Sequence, residues 1–326
     1  MLKTTISLFL AASLGAIGHA AAFTYTTIDA PSQNLFTGTL GINNASQIVG
    51  RTFGNGTVQG FLDSGGVFTP VEFPGPCPGS CLTDAFALNN TGQIAGRFYN
   101  SGQAHAFVRD SGGTYTQFDV AFINGVGTEA HGINDAGVIV GEYEDAVTTA
   151  GHGFQRDALG AITAIDVPGA QDTVANGINN AGTTVGYFVV GNGPNQGVHG
   201  FWLTGGIFTQ FDAPLETGTV IEGINNNGQV VGMFFDINGI QHGFFRESDG
   251  TFTPINIPGA LTTNAIGIND LGQVVGFYQD ANSNIHGFLA DPPSVGAAVP
   301  EPASLGLLGL GLVCCGIARA RRNPRM

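Results

Sequence analysis

Positive charge is nearly missing from this sequence. Only ten of its 326 residues are Lys or Arg, and between residues 23 and 299 there are just five, Arg51, Arg97, Arg109, Arg156 and Arg246. The same stretch holds 23 acidic residues, a net charge of −18 with histidine neutral. Such a field repels phosphate backbones and anionic lipid while favouring cations, so nucleic acid is excluded as a partner. Charge of either sign is sparse at 10% of residues. No nucleophile motif, phosphate loop or zinc motif is present, which removes the commonest enzyme signatures. Glycine, in contrast, is abundant at 52 residues, which suits short strands joined by tight turns.

The two ends carry the long apolar runs. Lys3 precedes "ISLFLAASLGAIG" and then "HAAAF", the pattern of a secretory signal peptide over residues 1–22 with cleavage after Ala20 or Ala22. At the other end a linker (292–299) leads to Pro300-Glu301-Pro302, a run of apolar and small residues over 303–318, and "RARRNPR". As a helix, those sixteen residues would extend about 24 Å, just short of a hydrocarbon core. Arg319, Arg321, Arg322 and Arg325 would hold the end on the cytoplasmic side. The order of motif, span and basic cluster over 300–326 resembles a PEP-CTERM sorting signal. That resemblance implies an exosortase-type processing enzyme as partner and transient residence in the inner membrane of a Gram-negative, exopolysaccharide-making bacterium. Display at the cell surface, in the envelope or outside the cell would follow. A plain single-pass anchor is the simpler alternative.

Residues 23–291 are dominated by a repeat. "GINNASQIVG" (41–50), "ALNNTGQIAG" (87–96), "GINDAGVIVG" (132–141), "GINNAGTTVG" (177–186), "GINNNGQVVG" (223–232) and "GINDLGQVVG" (267–276) recur at spacings of 44–46 residues, the range of propeller blades. Each is followed by a triplet, "QGF" at 59–61, "HAF" at 105–107 or "HGF" at 152–154, 199–201, 242–244 and 286–288, and in five repeats by a segment such as "FTPVEFPG". Alternating apolar and polar residues bounded by Gly and Pro predict four strands per repeat. The sixth repeat lacks the fourth strand, while "FTYTTIDAP" (23–31) matches "IFTQFDAP" (207–214). The expected fold is therefore an all-β, six-bladed propeller of four-stranded blades, closed by the N-terminal strand completing the last blade. An open stack of β-units is the alternative. The triplets beside "GIN" resemble the bacterial extracellular HAF-repeat family, a likeness that spans nearly all of the mature chain and implies no particular activity.

Repeated residues read as scaffold. Asn43, Asn89, Asn134, Asn179, Asn225 and Asn269, each followed three residues later by Gly (Ser46 in the first repeat), suit hairpin turns. His105, His152, His199, His242 and His286, with Gln59 in their place in the first repeat, would lie on a wide ring and cannot converge on an ion. His131 stands outside that register, alone. Cys77 and Cys81 in "GPCPGSC" predict a local disulfide in an exported protein; Cys314 and Cys315 fall within the apolar run. Asp280, Asn282 and Asn284 alternate as in a calcium loop but lack its Gly and bidentate Glu, so calcium there is a partial match and no other metal or cofactor is expected. Glu142, Glu144 and Asp145 cluster in a predicted loop, where a solvated acidic tip is the default.

Function is expected in the unequal connections on the face opposite the "GIN" turns. The leading expectation is a non-enzymatic, exported surface or matrix scaffold that binds exopolysaccharide or envelope components through variable loops. The rivals are a carbohydrate-active hydrolase or lyase on that face, recognisable by carboxylates from several blades meeting near the axis, and a passive spacer.

Overall fold

The alternating pattern folds as strands throughout. A computed structural model describes residues 23–31, 36–54, 57–75, 82–121, 125–191, 197–214 and 216–293, among which all regular elements are strands. β1 (Thr24–Ile28) precedes the first repeat, which supplies β2 (Phe36–Ile42), β3 (Ile48–Gly54), β4 (Thr57–Asp63) and β5 (Phe68–Val71). The second has β6 (Leu82–Leu88), β7 (Ile94–Asn100), β8 (Gln103–Arg109) and β9 (Tyr115–Phe118). The third has β10 (Gly125–Ile133), β11 (Ile139–Asp145), β12 (Gly151–Arg156) and β13 (Ile162–Ile165). The fourth has β14 (Asp172–Ile178), β15 (Thr184–Val190), β16 (Gly197–Thr204) and β17 (Ile207–Phe211). The fifth has β18 (Glu216–Ile224), β19 (Val230–Asp236), β20 (Gln241–Arg246) and β21 (Phe252–Ile255), and the sixth β22 (Thr262–Ile268), β23 (Val274–Gln279) and β24 (Ile285–Asp291). Glu142, Glu144 and Asp145 thus lie in strand β11 and not in a loop.

The arrangement is all-β and propeller-like. The second to fifth repeats each form a separate four-stranded sheet in chain order. The other eight strands form one sheet, which departs from six separate blades: β22-β23-β24 continues into β2-β3-β4-β5, and β1 pairs with β24. The join is one parallel pair, Phe36↔Ile285. Phe36 lies against Phe277 with ring centroids 5.9 Å apart, which draws the start of β2 toward the last repeat. β1 runs antiparallel to β24 from Thr24↔Asp291 to Ile28↔Gly287.

Apolar cores lie between consecutive repeats. Val49 and Val71 of the first meet Ile94, Phe98 and Phe107 of the second, and the series returns to its start where Ile42 and Ile48 meet Val275. The triplet phenylalanines are core: Phe107, Phe154, Phe201, Phe244 and Phe288 are 0% exposed. The triplet histidines stay at the rim, where the ring nitrogen Nδ1 meets an acid or amide just past the fourth strand: Asp119, Asp166, Asp212, Asn256 and, for His286, Asp29 beyond β1 (2.7–3.0 Å).

The turns after each first strand close the centre. Asn43 Nδ2 donates to the Asn89 carbonyl, Asn89 to Asn134, Asn134 to Asn179, Asn179 to Asn225, Asn225 to Asn269, and Asn269 back to Asn43, at 2.9–3.4 Å. A second closed ring follows one residue on, where each backbone N–H of Asn44, Asn90, Asp135, Asn180, Asn226 and Asp270 donates to the next side-chain oxygen at 2.8–2.9 Å.

The first strand of every repeat also carries a bulge. Pairing jumps between Thr39/Gly41, Ala85/Ala87, Ala130/Gly132, Ala175/Gly177, Ile221/Gly223 and Ala265/Gly267. The skipped residue therefore has no cross-strand partner, and a bulge of this kind re-aims its side chain. Each bulge draws the two strands close: a Cβ on Gly186 would lie 1.9 Å from the Val174 carbonyl oxygen.

Candidate functional site

The six skipped residues are Leu40, Phe86, His131, Asn176, Glu222 and Ile266. All line one cavity of about 310 Å³ on the axis. Here the repeat is broken: the first, second and sixth positions are apolar, and the third, fourth and fifth are polar. One layer away, the cross-strand pairs differ as well: Gly38–Arg51, Asp84–Arg97, Glu129–Glu142, Val174–Tyr187, Val220–Met233 and Asn264–Phe277. The next layer is a collar of Ile42, Leu88, Ile133, Ile178, Ile224 and Ile268, which separates this cavity from the asparagine rings.

Acidic and basic groups meet on one side. Asp84, 1% exposed, accepts from Arg97 Nε at 2.7 Å and Arg51 Nη1 at 3.3 Å. Arg97 Nη1 also donates to Glu129 Oε1, and its guanidinium lies 5.2 Å from the Phe86 ring centroid. Glu129 Oε2 is 3.4 Å and Glu142 Oε1 3.9 Å from His131 Nε2. His131 Nδ1 faces Asn176 Oδ1 at 3.2 Å, while Asn176 Nδ2 donates to the Ile221 carbonyl at 3.0 Å. One ligand atom each of Glu129, His131 and Glu142 lies within 4.8 Å of the other two, so the three can share a metal ion. An adjoining cavity of about 370 Å³ is bordered by Tyr99, Glu129, Glu142 and Glu144.

These surroundings separate the carboxylates. Burial alone would raise Glu129, but the hydrogen bond and charge of His131 and the charge of Arg97 carry it below the usual range. Burial raises Glu142, with Glu129 adding and His131 opposing. Glu222, partly buried on the cavity wall, is pushed by burial up to about 7, with His131 opposing and Glu142 adding. Burial would lower His131, but Glu129 and Glu142 hold it above the ordinary imidazole value. The Tyr187 phenol is raised by burial and by the nearby carboxylates. One polar atom is left over: Asn264 Oδ1, on a side chain 7% exposed that lines the same cavity, has no hydrogen-bond partner.

Of the residues singled out from sequence, Glu142 is in this cluster and Glu144 borders the adjoining cavity, whereas Asp145 closes a turn by accepting from the N–H groups of Val147 and Thr148. His131, read as solitary, is central. Asp280 likewise makes an Asx turn: Oδ1 accepts from the N–H groups of Asn282 and Asn284 at 2.8 Å, and Oδ2 from Asn284 Nδ2 at 3.1 Å. Cys77 and Cys81, the leader (1–22), Pro300-Glu301-Pro302 and the expected span (303–318) lie outside the described residues. Among the described residues no helix is long and apolar enough to cross a membrane. Asp84, Glu129, Asn176 and Glu222 were not legible as site residues. The signal for Asn176 and Glu222 is the unequal residue just before each "G-I-N", and for Asp84 and Glu129 the unequal residue two places earlier, both of which a comparison of shared letters passes over.

The destination of the chain is written at its C-terminus. Residues 298–322 match the PEP-CTERM protein-sorting motif. The motif implies processing by an exosortase-type enzyme and export to the cell envelope or surface. Among curated proteins none matches the chain. Among solved structures it is similar to TolB from Acinetobacter baumannii (TM-score 0.51, 12% identity, 79% of this chain and 63% of that one). It is also similar to a putative TolB from Agrobacterium tumefaciens (0.51, 11%, 79% and 90%) and to the SapL1 lectin in complex with alpha methyl fucoside (0.50, 13%, 81% and 98%). The chain thus spans less than two thirds of the first of these, and at such identities the likeness concerns fold alone.

Proposed function

We propose that this exported propeller is a binding protein whose ligand site is the axial cavity, with a saccharide unit of the envelope or extracellular matrix as the ligand class. The observation that carries the proposal is the break in the repeat. Six near-identical units differ at their inward-facing positions, and the polar exceptions converge on one cavity. A passive spacer gives no reason for that. Polar groups on one wall and Leu40, Ile266 and Phe277 on the other suit a ring with hydroxyls on one side and C–H groups on the other. The volume is at the small end of ligand sites, room for one sugar unit. We count the eight-stranded sheet as two blades joined at Phe36↔Ile285, giving six in all, and take the triplet repeat to be of the HAF type.

The test is calorimetric titration of the purified exported protein with monosaccharides and short fragments of the producer's own exopolysaccharide. Stoichiometric binding that is lost in Asn176→Leu and Glu222→Leu supports the reading. Undiminished binding in both variants would move the site to the outer loops. A second reading, cleavage of a glycan by hydrolysis or elimination, is favoured by one observation: carboxylates from three repeats, Asp84, Glu129, Glu142 and Glu222, gather around the axis. Turnover of the same fragments, abolished by Glu222→Gln, would establish it.

A further inference from the structure

We propose that Glu129, His131 and Glu142 form a binding site for one divalent transition-metal ion, zinc or manganese, at the edge of the axial cavity. The inference concerns the same cavity as the ligand reading but does not depend on the ligand being a saccharide.

The argument begins with an amide. The Ile221 carbonyl can only accept, so the Asn176 atom facing it at 3.0 Å is the nitrogen. Asn176 Oδ1 then faces His131 Nδ1, which must donate to it. In the neutral ring this leaves Nε2 as a lone pair, aimed at Glu129 Oε2 and Glu142 Oε1. With Nε2 unprotonated three acceptors face one another, and what holds them together is a cation, either the second ring proton or a metal ion. Glu129 and Glu142 are also directly opposite on β10 and β11, where like charges repel. Arg97 is engaged with Asp84 and with the other oxygen of Glu129, so it does not occupy the gap.

The spacing fits an ion. Ligands about 2.1 Å from a tetrahedral centre are about 3.4 Å apart, and the two separations from Nε2 are 3.4 and 3.9 Å. An imidazole with two carboxylates suits a first-row transition ion, whereas calcium takes oxygen ligands alone. The amide behind His131 is the outer partner that a metal-bound histidine ordinarily has, fixing its tautomer and orientation. Three protein ligands leave one position of a four-coordinate ion open.

The experiment is titration of the full, metal-stripped exported protein with Zn²⁺ and with Mn²⁺, with Ca²⁺ as control, in the absence of any saccharide. One ion per chain is expected for zinc or manganese, with affinity at least tenfold above that for Ca²⁺. Glu142→Gln and His131→Gln should each lose at least a hundredfold, and Asn176→Leu about tenfold or more, as outer-shell losses do. Imidazole nitrogen NMR gives a readout that a structural role would not move: His131 Nε2 shifts on adding metal, while the rim histidines do not. No stoichiometric binding to the wild-type protein overturns the proposal, as does binding unchanged in both ligand variants. A doubly protonated His131 that ignores added metal also overturns it, since the cation is then a proton. Metal binding without saccharide binding would leave this site standing and sink the ligand reading, and the converse result would do the reverse.

Discussion

Two small residues show how tightly the backbone specifies the scaffold. Gly186 sits where the bulge of β14 brings the neighbouring strand closest, and any Cβ there would meet the Val174 carbonyl at 1.9 Å. Backbone cannot step aside cheaply, so Gly186→Ala should cost at least about 3 kcal/mol in a urea melt. Ser46 is the informative exception among the turns. It adopts φ 56°, where the other five repeats place Gly, which costs a non-Gly residue about 1–2 kcal/mol. Its hydroxyl in return donates to Gln273 Oε1 at 2.7 Å, tying the first repeat to the last, a gain of about 1 kcal/mol. These offset, so Ser46→Gly should melt within about 0.5 kcal/mol of wild type once the added chain entropy of Gly is included. Ser46→Ala keeps the strain and loses the bond, and should be about 1 kcal/mol less stable.

At the scale of elements, β1 covers an edge. Without it β24 would present unpaired backbone groups and the side of Phe288 now packed by Tyr25. A chain beginning at Phe36 should melt several degrees lower and self-associate in light scattering, and a synthetic peptide of residues 23–31 should reverse both. That partnership was legible because residues 23–31 repeat the letters of 207–214. Strand identity and period were legible for the same reason, since turns and core positions are specified by local chemistry repeated six times. The site was hidden by the opposite circumstance. His131, Asn176 and Glu222 acquire their direction from bulges, which are features of pairing between strands and not of any residue type. Glu142 looked like loop because acidic residues in a row suggest solvent, yet β11 carries it inward while Asp145 ends the strand in a turn. Position within the sheet, not composition, decides between those fates.

For the molecule as a whole, acid should loosen the centre first at the asparagine rings. Asp135 and Asp270 each accept from two asparagine side chains and one backbone N–H. Burial opposes their ionisation, but those donors outweigh it and hold both below the ordinary aspartate value of 3.8. A lowered folded value means stability that is present above about pH 4 and disappears as pH falls through that lower value. Thermal melts from pH 6 to pH 2.5 should therefore steepen below 4, and Asp135→Asn with Asp270→Asn should flatten that part of the curve. The pairing of β1 with β24 has a different consequence, one of time. Thr24 and Asp291 stand at opposite ends of the described chain, so the ring cannot shut until every repeat between them exists. Contacts so remote in sequence form slowly, because the entropy of bringing the ends together must be met first. A chain synthesised from its N-terminus makes β1 before the other described strands and supplies its partner after all of them. β1 thus becomes the latch, and for as long as the sixth repeat is missing the propeller is an open arc.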